Sequence, residues 1–108
     1  MNTIPKNKVF CFDIDGVIAS ITPNAEYNKA MPIKENIKII NKLFDNENKI
    51  ILFTARGSKT GIDWRQTTES QMKEWGVRYD ELKFGKPSAD YYVDDKMLSL
   101  NDLSSLDL

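Results

Sequence analysis

Two carboxylates one residue apart, Asp13 and Asp15 in "FCFDIDGVIAS" (residues 10–20), close an apolar run that begins at Val9. Carboxylates held that near each other repel, and burying them unpaired is costly. An oxygen-seeking divalent cation removes the conflict: Mg²⁺ takes one or two carboxylates, waters and a substrate phosphate oxygen. Of two such carboxylates, one can stay ionised as a nucleophile while the other carries a proton as general acid. Three more polar clusters follow apolar runs downstream: Thr54 after "IILF", Lys86 after "LKFG", and Asp94–Asp95 after "YYV". A lysine and a hydroxyl suit the remaining phosphate oxygens. These residue types together point to metal-assisted phosphoryl transfer through an aspartyl intermediate.

The rest of the composition narrows the chemistry further. There is no histidine, which excludes His acid–base catalysis, His metal ligands and a Ser-His-Asp triad. A single cysteine, Cys11, excludes an internal disulfide and reads as a small buried hydrophobe in a strand. Charge is balanced, 15 Lys and Arg against 16 Asp and Glu, so no global basic field for nucleic acid or an anionic membrane exists. No apolar stretch reaches the ~20 residues that span a bilayer, and "MNTIPKNK" lacks a signal-peptide apolar region, so the expected location is cytoplasmic.

For the clusters to meet, the elements between them must return each strand to the same edge. The 108 residues suit one domain. Val9–Phe12 and Ile50–Phe53 are short continuous apolar runs, the pattern of strands buried on both faces. Ile33, Ile37, Ile40, Leu43 and Phe44 recur at helical spacing and end near "DNEN". A second helix is predicted from Asp63 as N-cap to about Trp75, stopped by Gly76. Short strands follow in "ELKFGKP" and "ADYYVDD", and residues 17–32, with Pro23 and Pro32, read as a flap loop. The alternation is that of an α/β fold with a mostly parallel sheet, whose ligands sit beyond the carboxyl ends of the strands.

With its ordered motifs "FDIDG", "ILFTARG", "FGKP" and "YYVDD" spanning residues 9–95, the chain resembles the haloacid dehalogenase (HAD) superfamily of aspartyl phosphatases. The resemblance implies a compact three-layer Rossmann-like fold and a Mg²⁺-dependent phosphomonoester hydrolase. It makes Asp13 the phosphorylated nucleophile and a metal ligand. Asp15 becomes the general acid and then base, its backbone carbonyl also on the metal. Thr54 and the N–H of Ala55 hold phosphate oxygens, Lys86 offsets charge between nucleophile and phosphate, and Asp94 and Asp95 ligate Mg²⁺. Arg56 is the first choice among nearby charges for a substrate contact.

Neither the interval from Asp15 to Thr54 nor that from Thr54 to Lys86 has room for a cap domain. The chain is therefore similar to the capless branch, which implies an open site or a homo-oligomer in which a neighbour covers it. A narrower similarity, to small phosphatase-like proteins of bacterial capsule and lipopolysaccharide sugar pathways, implies a sugar phosphate or another small biosynthetic phosphate as substrate. Two other readings stand beside this one: a catalytically idle domain acting through partners, and a receiver-like phosphorylation switch. In a receiver the acidic pair precedes a separate phosphorylated Asp, an order opposite to the one here.

Overall fold

A computed structural model of the chain describes residues 4–58, 60–84 and 90–93, with Tyr92 and Val93 described by their backbone alone. The order is β1 (Val9–Asp13), α1 (Lys34–Asp45), β2 (Lys49–Phe53), α2 (Arg65–Glu74), β3 (Glu81–Lys83) and β4 (Tyr91–Val93). All four strands are parallel and lie in the order β3-β2-β1-β4, the α/β arrangement expected. From β1 the chain moves one way to β2 and β3, whereas β4 lies on the other side. The strand order thus reverses at β1, and the carboxyl end of such a strand is where an open α/β sheet offers a crevice.

Strand pleating sorts the apolar residues between the two faces. Phe10 and Phe12 of β1 and Ile50 and Leu52 of β2 join Ile37, Ile40 and Leu43 of α1 and Met72 of α2 in the main core. Cys11, Ile51 and Phe53 form a second buried cluster from the alternate positions. Both helices serve the first face. Cys11 is fully buried, as its strand position required.

α2 differs from expectation in detail. Trp64, not Asp63, occupies the flanking position, while Asp63 Oδ1 accepts a 2.9 Å hydrogen bond from the Arg65 N–H. The helix ends at Trp75, and Gly76 follows at φ +70°, the left-handed turn foreseen there.

The flap is more firmly seated than its proline and polar content suggested. Val17, Ile18 and Ala19 are fully buried, because the apolar triplet folds straight back under Ile14 through Ile18 and Ala19 N–H bonds to its carbonyl. Residues 18–20 then pair with 31–33, through Ser20 N–H to Met31 O and Ile33 N–H to Ile18 O, both 2.8 Å. Only residues between these ties loop outward, in two 3₁₀ turns at Pro23–Ala25 and Tyr27–Lys29. Among the described residues, no helix is long and apolar enough to cross a membrane.

Candidate active site

The period of two along β1 explains why two carboxylates share one place. Ile14 is fully buried in the main core and its N–H bonds Phe53 O at 3.1 Å. With Ile14 turned inward, Asp13 and Asp15 are directed the other way, at the carboxyl end of the strand. Asp13 is level with Phe53 in the sheet register, so Thr54 follows immediately beside the pair. Gly16 then takes φ +95°, which lets the chain reverse, with its N–H bonded to Ala19 O at 2.8 Å.

Among the clefts that open at this edge, two share Asp13, Ala55 and Arg56 in their lining. One, of about 410 Å³, is completed by Phe53, Thr54, Gly57, Ser58 and Phe84. The other, of about 250 Å³, adds Asp15 and the flap residues Ile21, Thr22, Ala25 and Tyr27. The Thr22 hydroxyl is buried there without a hydrogen-bond partner among the described residues. A larger groove of about 590 Å³ lies elsewhere, between α1 and the end of α2, and holds none of the expected site residues.

The structure therefore brings Asp13, Asp15, Thr54, Ala55 and Arg56 together. Lys86, Asp94 and Asp95 lie outside the described residues. β4 ends at Val93, level with Phe12, and β3 at Lys83, level with Phe53.

Within the described set, these side chains form a buried polar frame. The Arg56 side chain is fully buried. Its Nε donates to Asp15 Oδ1 and Oδ2 at 3.2 and 3.1 Å, and Nη2 to Oδ1 at 2.9 Å. Nη1 is tied to α2, at 3.0 Å from Thr68 Oγ1 and 2.7 Å from Gln71 Oε1. The guanidinium also lies 4.8 Å from the centre of the Tyr27 ring. Thr54 is buried too: its hydroxyl makes a long 3.4 Å contact to Asp15 Oδ2 and accepts the Arg56 N–H at 3.1 Å. Asp15 keeps 20% of its side chain exposed, toward the smaller cleft.

Gln71 and Tyr27 complete this frame, with Gln71 Nε2 donating to Tyr27 O at 2.7 Å and Trp64 packed edge-on to the Tyr27 ring. Gln71 is a residue that sequence reasoning missed, since a glutamine in a polar helix carries no signal of burial.

The donor chemistry suits Mg²⁺. Hard oxygen ligands are what it takes, and Asp13 offers a carboxylate at the cleft. The expected ligand set also takes the Asp15 main-chain carbonyl, while the Asp15 carboxylate meets Arg56. Two of the four expected ligands are undescribed, so among the described residues no three metal-type side chains gather.

Gly57 holds the turn that carries Ala55 and Arg56. It sits at φ +84°, and a Cβ there would lie 2.1 Å from Ile62 O, whereas Gly61, at φ +75°, has open space. Both would suffer the left-handed penalty of about 1–2 kcal/mol on mutation to alanine. Gly57→Ala alone must also displace backbone, so it should lower the urea midpoint further than Gly61→Ala and reduce any turnover, with Gly61→Ala leaving turnover intact. Equal midpoints for the two variants would contradict this assignment.

No protein-family model and no curated protein matches the chain. Among solved structures, an MCSG target from Vibrio cholerae superposes with a TM-score of 0.64 at 21% identity, covering 92% of this chain and 95% of that one. A chain of the Pnkp1/Rnl/Hen1 complex superposes at 0.60 with 14% identity, over 98% of this chain and 35% of its own length. A chain of the Pnkp1/Rnl/Hen1 RNA repair complex follows at 0.55 and 20%, over 95% and 31%. The chain thus spans about a third of the length of those two and nearly all of the Vibrio protein. At these identities the likeness is one of fold: a Rossmann-like α/β domain with a parallel sheet.

Proposed function

We propose that the chain is a Mg²⁺-dependent phosphomonoester hydrolase of the HAD type, working through a phospho-aspartyl intermediate on Asp13. One observation carries the reading: Asp13 and Asp15 at the end of β1 and Thr54 and Ala55 just past β2 border clefts at the switch point of the sheet.

In the first half-reaction an Asp13 oxygen attacks phosphorus as the leaving-group oxygen departs with its electron pair and takes the proton carried by Asp15. In the second, Asp15 takes a proton from water as the water oxygen attacks phosphorus, releasing inorganic phosphate and the Asp13 carboxylate. Both proton transfers use one carboxyl at one place, as microscopic reversibility favours. The N–H of Ala55 and the Thr54 hydroxyl would meet phosphate oxygens, the latter by turning from its long contact with Asp15. Lys86 would offset the phosphate charge, and Asp94 and Asp95 would join Asp13 and the Asp15 carbonyl around Mg²⁺. The ion, when bound, supplies charge neutralisation at the phosphoryl oxygens.

A sugar phosphate or similar small biosynthetic phosphate is the first substrate class, in a cytoplasmic setting, with a second copy of the chain as a cover for the open site. The two matches to the Pnkp1/Rnl/Hen1 complex, one of them described as an RNA repair complex, add phosphorylated oligoribonucleotide ends as a second class to test. Purified protein should release phosphate from at least one member of a panel holding both classes, with Mg²⁺ and not with excess EDTA. Silence across the panel with Mg²⁺ and Mn²⁺ would favour the idle domain instead.

A further inference from the structure

We propose that Arg56 is the positioning residue of Asp15, a fixed fork that aims the acid–base carboxyl at the leaving group; this rests on the phosphatase reading above. A guanidinium with no exposed surface demands a counter-charge and hydrogen bonds, because an uncompensated buried charge costs several kcal/mol. The geometry supplies both from three separate segments. Asp15 gives the charge, α2 gives Thr68 and Gln71 to Nη1, and the flap gives the face of the Tyr27 ring. Because Nη1 is tied to a helix, the Nε–Nη2 edge presented to Asp15 cannot swing. Two contacts to Oδ1 and one to Oδ2 from that planar edge then restrict both side-chain torsions of Asp15.

The asymmetry is informative. Oδ1 takes Nη2 and Nε, while Oδ2 has the Nε contact and a long approach from Thr54, so Oδ2 is the more weakly held oxygen and the one assigned to the proton transfer. As that proton passes to the leaving oxygen, the charge that develops on Asp15 falls against the fork, an interaction stronger in the transition state than before it. Lysine, a flexible point charge with three donors, could serve the charge but not the planar edge or the ties to α2.

Leaving-group dependence separates this role from a purely structural one. 4-Nitrophenolate departs with little need of a proton, whereas phenolate needs one, and kcat/KM reports only steps up to leaving-group departure. Arg56→Met should lose roughly 100-fold in kcat/KM on phenyl phosphate, the scale of acid catalysis, and less than about 10-fold on 4-nitrophenyl phosphate. Arg56→Lys should restore part of the phenyl phosphate loss. Thr68→Val, which cuts one Nη1 tie and leaves Asp15 untouched, should show the same selectivity on a smaller scale. It carries the test together with Arg56→Lys if Arg56→Met fails to fold by circular dichroism. Equal losses on both esters, without rescue by lysine, would overturn the proposal while leaving the phosphatase reading standing. A wild-type protein that hydrolyses neither ester, nor any member of the wider panel, would remove both.

Discussion

Asp13→Asn should abolish phosphate release, by more than about 10³-fold in kcat, while leaving the protein folded. The amide keeps the shape of the side chain but cannot attack phosphorus or accept the phosphoryl group. The fold is expected to persist because asparagine is nearly isosteric with aspartate and keeps a polar group at the end of β1. That combination separates a chemical role from a structural one. A turn-forming or capping Asp13 would lose stability on substitution and would not govern turnover. Thermal unfolding beside steady-state kinetics on the same preparation measures both, and undiminished turnover in Asp13→Asn would remove Asp13 from the mechanism.

Phe12→Ala is expected to produce the largest loss of stability in the described part of the chain. Phe12 is fully buried in β1, stacked near Phe10 with ring centroids 6.0 Å apart, and packs in one core with α1 and α2. Truncating a buried phenylalanine costs about 3–5 kcal/mol. A domain has only about 5–15 kcal/mol in total, so the variant should be near or past its unfolding threshold at 37 °C. The loss should also reach the site, since Phe12 immediately precedes Asp13 and holds the strand end that presents both carboxylates. Urea unfolding gives the check: a midpoint shift of less than about 1 kcal/mol equivalent would show that β1 is not the centre of the core.

Much of the fold was legible because it rests on local patterns. The two apolar runs, the helical spacing of Ile37, Ile40 and Leu43, and Gly76 as a helix stop all depend on neighbours a few residues apart. So does the pairing of Asp13 with Asp15, and the return of Thr54 to the same sheet edge follows from the rule for parallel strands. The buried polar frame was not legible, for the converse reason. Arg56 reaches Asp15 across 41 residues and Gln71 reaches the Tyr27 carbonyl across 44, and nothing local distinguishes these side chains from solvated ones.

Asn36 belongs to the same class. It is 3% exposed, and its Nδ2 donates to Val17 O at 2.8 Å, holding the turn that follows Asp15 to the first turns of α1. In a sequence, an asparagine beside lysines and glutamate reads as the polar face of a helix. Its burial follows from a carbonyl that would otherwise be unpaired in the core. The flap shows the same effect in reverse: prolines announced a loop, but the apolar triplet at 17–19 decided where it is anchored.

The account stands or falls on the covalent step at Asp13. Acid-quenching the wild-type protein during turnover of a phosphoryl substrate, followed by borohydride reduction and peptide mass spectrometry, reports which side chain held the phosphoryl group. Residue 13 is predicted to be recovered as homoserine, in a substrate- and Mg²⁺-dependent amount, and not in Asp13→Asn. Sustained phosphate release with every carboxylate from 13 to 15 recovered unmodified, or with the label on Asp15, would contradict it.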